Sequence, residues 1–118
     1  METVYLFFAE GTEEVEALTV VDILRRAGIE TRIVSVTEDR IVTGAHGIRV
    51  EADMLMGEVD FSKAAMLVLP GGLPGAYNLA SHEGLVAGIM QQYEHNKPLA
   101  AICAAPLVYG RMGLLDGV

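Results

Sequence analysis

Along the chain, short apolar runs alternate with stretches whose apolar residues recur every three or four positions, so strands and helices are predicted in turn. Val4 to Ala9 is a continuous apolar run with β-branched and aromatic members, as in a strand buried on both faces. Gly11 and Thr12 break it. Thr12 is placed to cap a helix, with Glu13 and Glu14 in the first turn, where the helix dipole favours acidic groups. That helix should run to about Ala27, with Arg25 and Arg26 in its last turn and Gly28 as its stop. Ile29 to Val36 predicts the second strand. Arg40 to Val50 predicts a hairpin, with Ile41-Val42-Thr43 and Ile48-Arg49-Val50 flanking Gly44-Ala45-His46-Gly47.

Asp60 to Lys63 suits a short helical turn. Ala64 to Leu69 predicts another buried strand, ended by Pro70-Gly71-Gly72. The next helix is expected from Ser81, as its cap, to about His95, where Asn96, Lys97 and Pro98 end it. Leu99 to Ile102 is a short strand that runs directly into Cys103, and Pro106 sits near the start of a further helix, where its missing N–H costs little. Strands alternating with helices predict one α/β domain over residues 1–118, a mostly parallel sheet covered on both faces. In such sheets chemistry collects at the carboxyl ends of the strands. Glu10 to Glu16, Gly71-Gly72 and Cys103 all fall there.

Composition narrows the function. The 118 residues carry a net charge of −8, which opposes binding to nucleic acid or an anionic membrane. No apolar run reaches the length of a membrane span. One cysteine excludes an intramolecular disulfide and a cysteine-rich metal site. A free thiol without a basic-then-apolar leader predicts the cytosol. His46, His82 and His95 share no metal-binding spacing, and neither a metal nor another cofactor is expected.

Ala101-Ile102-Cys103-Ala104-Ala105 has the logic of a nucleophile elbow. A tight strand-to-helix turn needs small residues two before and two after the nucleophile, and Ala101 and Ala105 are small. Such a turn presents the thiol to a helix start, which favours the thiolate. The competing reading is an inert cysteine in a core strand. Gly71-Gly72 reads either as a tight turn or as a backbone N–H source for an oxyanion hole shared by Gly72 and Ala104. The loop from Gly71 to Gly75 lacks the spacing of a phosphate-binding motif. Glu16 lies among Val15, Ala17, Leu18, Val20 and Val21. Its carboxyl faces solvent, the usual case on a helix, or faces the strand ends, where it could hydrogen-bond the cysteine sulfur. His46, at the hairpin tip, is either a surface residue or an acid–base group.

These residues together resemble the ThiJ/PfpI superfamily, in the branch that holds a Parkinson-disease-linked deglycase and bacterial ThiJ-like proteins. The resemblance runs through Ala9-Glu10-Gly11-Thr12-Glu13-Glu14-Val15-Glu16, Asp22-Ile23-Leu24-Arg25-Arg26-Ala27-Gly28, Leu69-Pro70-Gly71-Gly72, Gly75-Ala76, Asn78-Leu79 and Ala100-Ala101-Ile102-Cys103-Ala104-Ala105-Pro106. It implies a flavodoxin-like three-layer α/β/α sandwich, with Cys103 as oxidisable nucleophile and Glu16 as its protonated hydrogen-bond partner. Gly72 and Ala104 would be the backbone donors. His46 falls where some relatives carry an arginine that reaches the partner subunit's site. The resemblance further implies a homodimer with the first helix at the contact. Its substrate would be a small reactive carbonyl or a glycated adduct; alternatively the protein would be a non-enzymatic redox sensor or holdase-like chaperone of the stress response, with Cys103 oxidised to a sulfinate. Two departures stand out. Ala104 occupies the position where the proteases of the family carry a histidine, which argues against proteolysis. The chain also stops at Gly117-Val118, where family members continue, so the C-terminal part of the domain and its histidine are expected to be absent or supplied by another chain.

Overall fold

The first apolar run forms β1 (Thr3–Phe8) at the centre of a five-stranded sheet. The computed structural model describes residues 2–117. After β1 come α1 (Glu14–Arg26), β2 (Thr31–Ser35), β3 (Ile41–Thr43), β4 (Arg49–Glu51) and β5 (Met54–Leu55). Then follow β6 (Ala64–Leu69), α2 (Gly75–Ala80), α3 (Glu83–Glu94), β7 (Leu99–Ala101) and α4 (Pro106–Arg111). The main sheet has the order β5-β2-β1-β6-β7, and every pairing in it is parallel. β3 and β4 form a separate antiparallel hairpin, with Val42 opposite Val50. This is a flavodoxin-like architecture: a mostly parallel sheet between helical layers.

Alternation along β1 divides the core. Val4, Leu6 and Phe8 face α1 and the hairpin, where they meet Ala17, Val21, Val42 and Val50. Tyr5, Phe7 and Ala9 face the other helices, against Leu79, Leu85, Ile89, Val108 and Tyr109. Leu6, Phe7 and Phe8 are fully buried, and each such side chain contributes roughly 1.5–3 kcal/mol of transfer free energy. No helix among the described residues is long and apolar enough to cross a membrane.

Several boundaries differ from the sequence expectation. Thr12 does not cap α1. Its hydroxyl accepts the Ala9 N–H and closes the turn after β1, and Glu13 caps the helix by accepting the Val15 N–H at 2.9 Å. Ser81 is the last residue of the α2 cap rather than the start of α3. The cap of α3 is His82, whose Nδ1 accepts the Leu85 N–H at 3.1 Å. The second strand is shorter than Ile29 to Val36: Ala27 and Gly28 form the turn out of α1, Ile29 and Glu30 lie between that turn and the strand, and Val36 already belongs to the bend that follows. α2 and β5 have no counterpart in the expectation. The expected end of the chain at Val118 lies outside the described residues.

Candidate active site

Parallel pairing brings the carboxyl ends of β1, β6 and β7 to one edge of the sheet. The loop after β1 then meets the Pro70-Gly71-Gly72 loop through paired backbone bonds. Glu13 N–H donates to Gly71 C=O at 2.9 Å, and Gly75 N–H donates to Gly11 C=O at 3.3 Å. From the first turn of α1, Glu16 reaches across, and its Oε1 accepts the Gly71 N–H at 3.0 Å. Cys103 packs against the same glycine. A Cβ placed on Gly71 would lie 2.6 Å from Glu16 Oε1, 2.8 Å from Cys103 Cβ and 3.0 Å from the Ile102 carbonyl oxygen. Glu16 and Cys103 therefore both pack against the face of Gly71 from which a side chain would project, although no hydrogen bond joins the two side chains among the described residues.

Cys103 has φ +59°, in the left-handed region that non-glycine residues seldom occupy. Ile102 N–H remains bonded to Leu69 C=O at 3.2 Å and Ala105 N–H to Ile102 C=O at 3.0 Å, so the chain reverses tightly around the cysteine. The thiol is exposed, which separates it from an inert core cysteine. Ala105 is fully buried, as the small-residue requirement of the turn demands. The N–H groups of Gly72 and Ala104 have no protein acceptor among the described residues.

His46 sits away from this pair. Its Nδ1 is 3.0 Å from Glu14 Oε1 and 3.6 Å from Glu13 Oε2. His82 caps α3, and His95 Nδ1 is 2.7 Å from the Gln91 carbonyl oxygen. Two residues have roles that the sequence reading did not reach. One is Gly71, which joins Glu16 to Cys103. The other is Glu14, whose carboxylate accepts N–H bonds from His46 at 2.9 and 3.2 Å and from Ile48 at 3.1 Å. Burial pushes the Glu14 pKa up, but hydrogen bonds from its own N–H, from the His46 side chain and backbone, and from Ile48 outweigh it and hold the value at about 2. The His46 pKa is raised, first by the Glu14 hydrogen bond and then by the charges of Glu13 and Glu14. Glu13, Glu14 and His46 also bring three ligand-type atoms within 4.8 Å of one another. The Glu14 oxygens in that group are already taken by N–H donors.

The model of the DJ-1/PfpI family matches residues 2–118. The chain belongs to the DJ-1/PfpI family. Among its relatives, DJ-1 homolog B of Arabidopsis thaliana is 40% identical over 110 residues, which is 92% of this chain and 25% of that protein. A deglycase of Thermococcus kodakarensis is 34% identical over 115 residues, covering 97% of this chain and 68% of the relative. The solved oxidized DJ-1 of Toxoplasma gondii superposes with a TM-score of 0.94 at 36% identity, over 99% of this chain and 64% of its own. The chain thus spans between 25% and 68% of the length of these DJ-1/PfpI relatives.

Proposed function

We propose that the chain carries a cysteine-dependent site for small reactive carbonyls, of glyoxalase or deglycase type. The observation that carries this reading is the exposed, left-handed Cys103 packed with Glu16 against Gly71. The Cys103 sulfur adds to the aldehyde carbon of a substrate such as methylglyoxal, or of its early adduct on an amine or thiol. A C–S bond forms, and the carbonyl π pair moves to oxygen. In this reading the Gly72 and Ala104 N–H groups receive that oxyanion, and Glu16 passes the proton that neutralises it. Deglycase-named relatives support the substrate class. Ala104 directly after the cysteine leaves a protease reading without its histidine. The test is turnover of methylglyoxal by purified protein beside Cys103→Ser. Loss of at least a hundredfold in the variant is expected, and equal rates would sink the proposal.

A second reading is a redox sensor, favoured by the exposure of the thiol and by the oxidized state named for the Toxoplasma relative. Peroxide would convert Cys103 to sulfenate and then sulfinate, each oxygen coming from one peroxide reduced to water. Mass spectrometry after mild peroxide should find oxygen on Cys103 before Met54 or Met112; the reverse order would remove the reactive thiol from both readings.

The proposed assembly is a homodimer in the cytosol. A groove of about 390 Å³ runs between α1 and the hairpin, lined by Glu14, Val15, Leu18, Thr19, Asp22 and Ile48. It leaves Val15 and Ile48 uncovered, in keeping with a contact through the first helix.

A further inference from the structure

We propose that Glu14 is a positioning residue: its carboxylate pins the β3–β4 hairpin to the loop that leads into α1, and so holds Glu16 against Gly71. The inference rests on the roles given above to Cys103 and Glu16.

The hairpin is not part of the main sheet, and polar contacts fasten it to residues 11–14. Gly11 N–H donates to Thr43 C=O at 3.0 Å, and Ala45 N–H donates to Thr12 C=O at 2.8 Å. Val42 and Val50 also pack into the core beneath the hairpin, and the remaining hydrogen bonds converge on Glu14, which takes the N–H groups of both His46 and Ile48 and touches the His46 ring. Glu14 is only 2% exposed. A carboxylate is tolerated at such burial only when its oxygens are satisfied, and these are. Gly44 lies so close that any Cβ there would overlap the Glu14 carboxyl. On its opposite side the same short loop carries the bonds to Gly71 and Gly75. The loop is thus clamped between the hairpin and the Gly71 loop, and Glu16 projects from the first turn of the helix it leads into. Its own bond to Gly71 N–H is a single contact. Removing the hairpin from one side of the loop frees the first turn of α1 to shift, and a shift of about 1 Å is enough to misplace a catalytic group.

The experiment is a double-mutant cycle in the full chain with Glu14→Gln and Glu16→Gln. Glutamine at position 14 keeps one acceptor oxygen and turns an NH₂ towards the other donors. If Glu14 acts through Glu16, Glu14→Gln should lower kcat for methylglyoxal about tenfold with KM little changed, yet lower it less than about twofold once Glu16 is Gln. The same factor in both backgrounds would overturn the proposal and leave Glu14 a stabilising residue only. Where Glu14→Gln does not fold, amide exchange in the unmodified protein decides. The His46, Ile48 and Gly71 amides should open as one unit, with protection within about threefold of each other. Hairpin amides exchanging about a hundredfold faster than Gly71 would show that the hairpin leaves without disturbing the site. If the unmodified protein turns over no carbonyl and Cys103 resists iodoacetamide, the reading of the site has failed. The exchange comparison then decides the clamp alone, in the same two directions.

Discussion

At the scale of single residues, Gly71 is the position where Glu16 and Cys103 meet. Its Cα is the surface on which Glu16 and Cys103 both rest, and its N–H is the Glu16 donor. Gly71→Ala drives a methyl into a carboxylate oxygen, a cysteine Cβ and a backbone carbonyl at once. We expect a loss of about 1–3 kcal/mol in urea unfolding, the usual range for overpacking, together with a changed iodoacetamide rate at Cys103. A variant as stable and as reactive as the parent would mean that the two side chains move apart freely. The importance of Gly71 was hidden in the sequence because its neighbours come from positions 16 and 103, and Pro70-Gly71-Gly72 reads locally as a turn. Glu14 was hidden for a similar reason. Acidic residues in a first helical turn look like dipole complements, and its partners are backbone N–H groups more than thirty positions away.

At the scale of elements, the hairpin should respond to pH in a defined direction. The Glu14 pKa is lowered from 4.5 to about 2, so its contribution to stability is full above about 4.5 and fades as pH falls towards 2. The His46 pKa is raised above 6.5, so its contribution is full below about 6.5 and is lost as pH rises past the folded value. Both are in force between those limits. Destabilisation by His46→Ala should therefore be larger at about pH 5.5 than at about pH 8.5 in urea titrations; a difference of the opposite sign would detach His46 from Glu14. β1, β6, the hairpin strands and the stop of α1 at Gly28 were legible, because long apolar runs and a left-handed glycine leave strong local signals. β5 was not, since two residues that pair only with β2 carry no periodicity. Nor was α2, whose six residues begin at Gly75 directly after Pro74.

At the scale of the whole molecule, the question is what covers α1. Val15 is 70% exposed and Ile48 54%, side by side across the groove. Sedimentation should show a concentration-dependent dimer that Val15→Asp converts to monomer without loss of helical circular dichroism. A parent protein that is monomeric at about 100 μM would rule out this contact; at that concentration a dimer with Kd of about 1 μM is mostly assembled. The alternation of strand and helix sufficed for the layers and for the edge of the sheet that bears the site. It carried no information on assembly, because a helix apolar on two faces can bury the second against its own chain or another.

The left-handed turn at Cys103 has a consequence for how the protein tolerates change. A backbone that suits glycine is occupied by a side chain, so chemistry and folding disagree about the best residue there. Of two variants that both abolish the thiol, Cys103→Gly should be more stable than Cys103→Ala by about 1 kcal/mol, the reverse of the ordinary ranking of these residues. A drifting lineage freed from the need for a thiol would be expected to settle on glycine at this position.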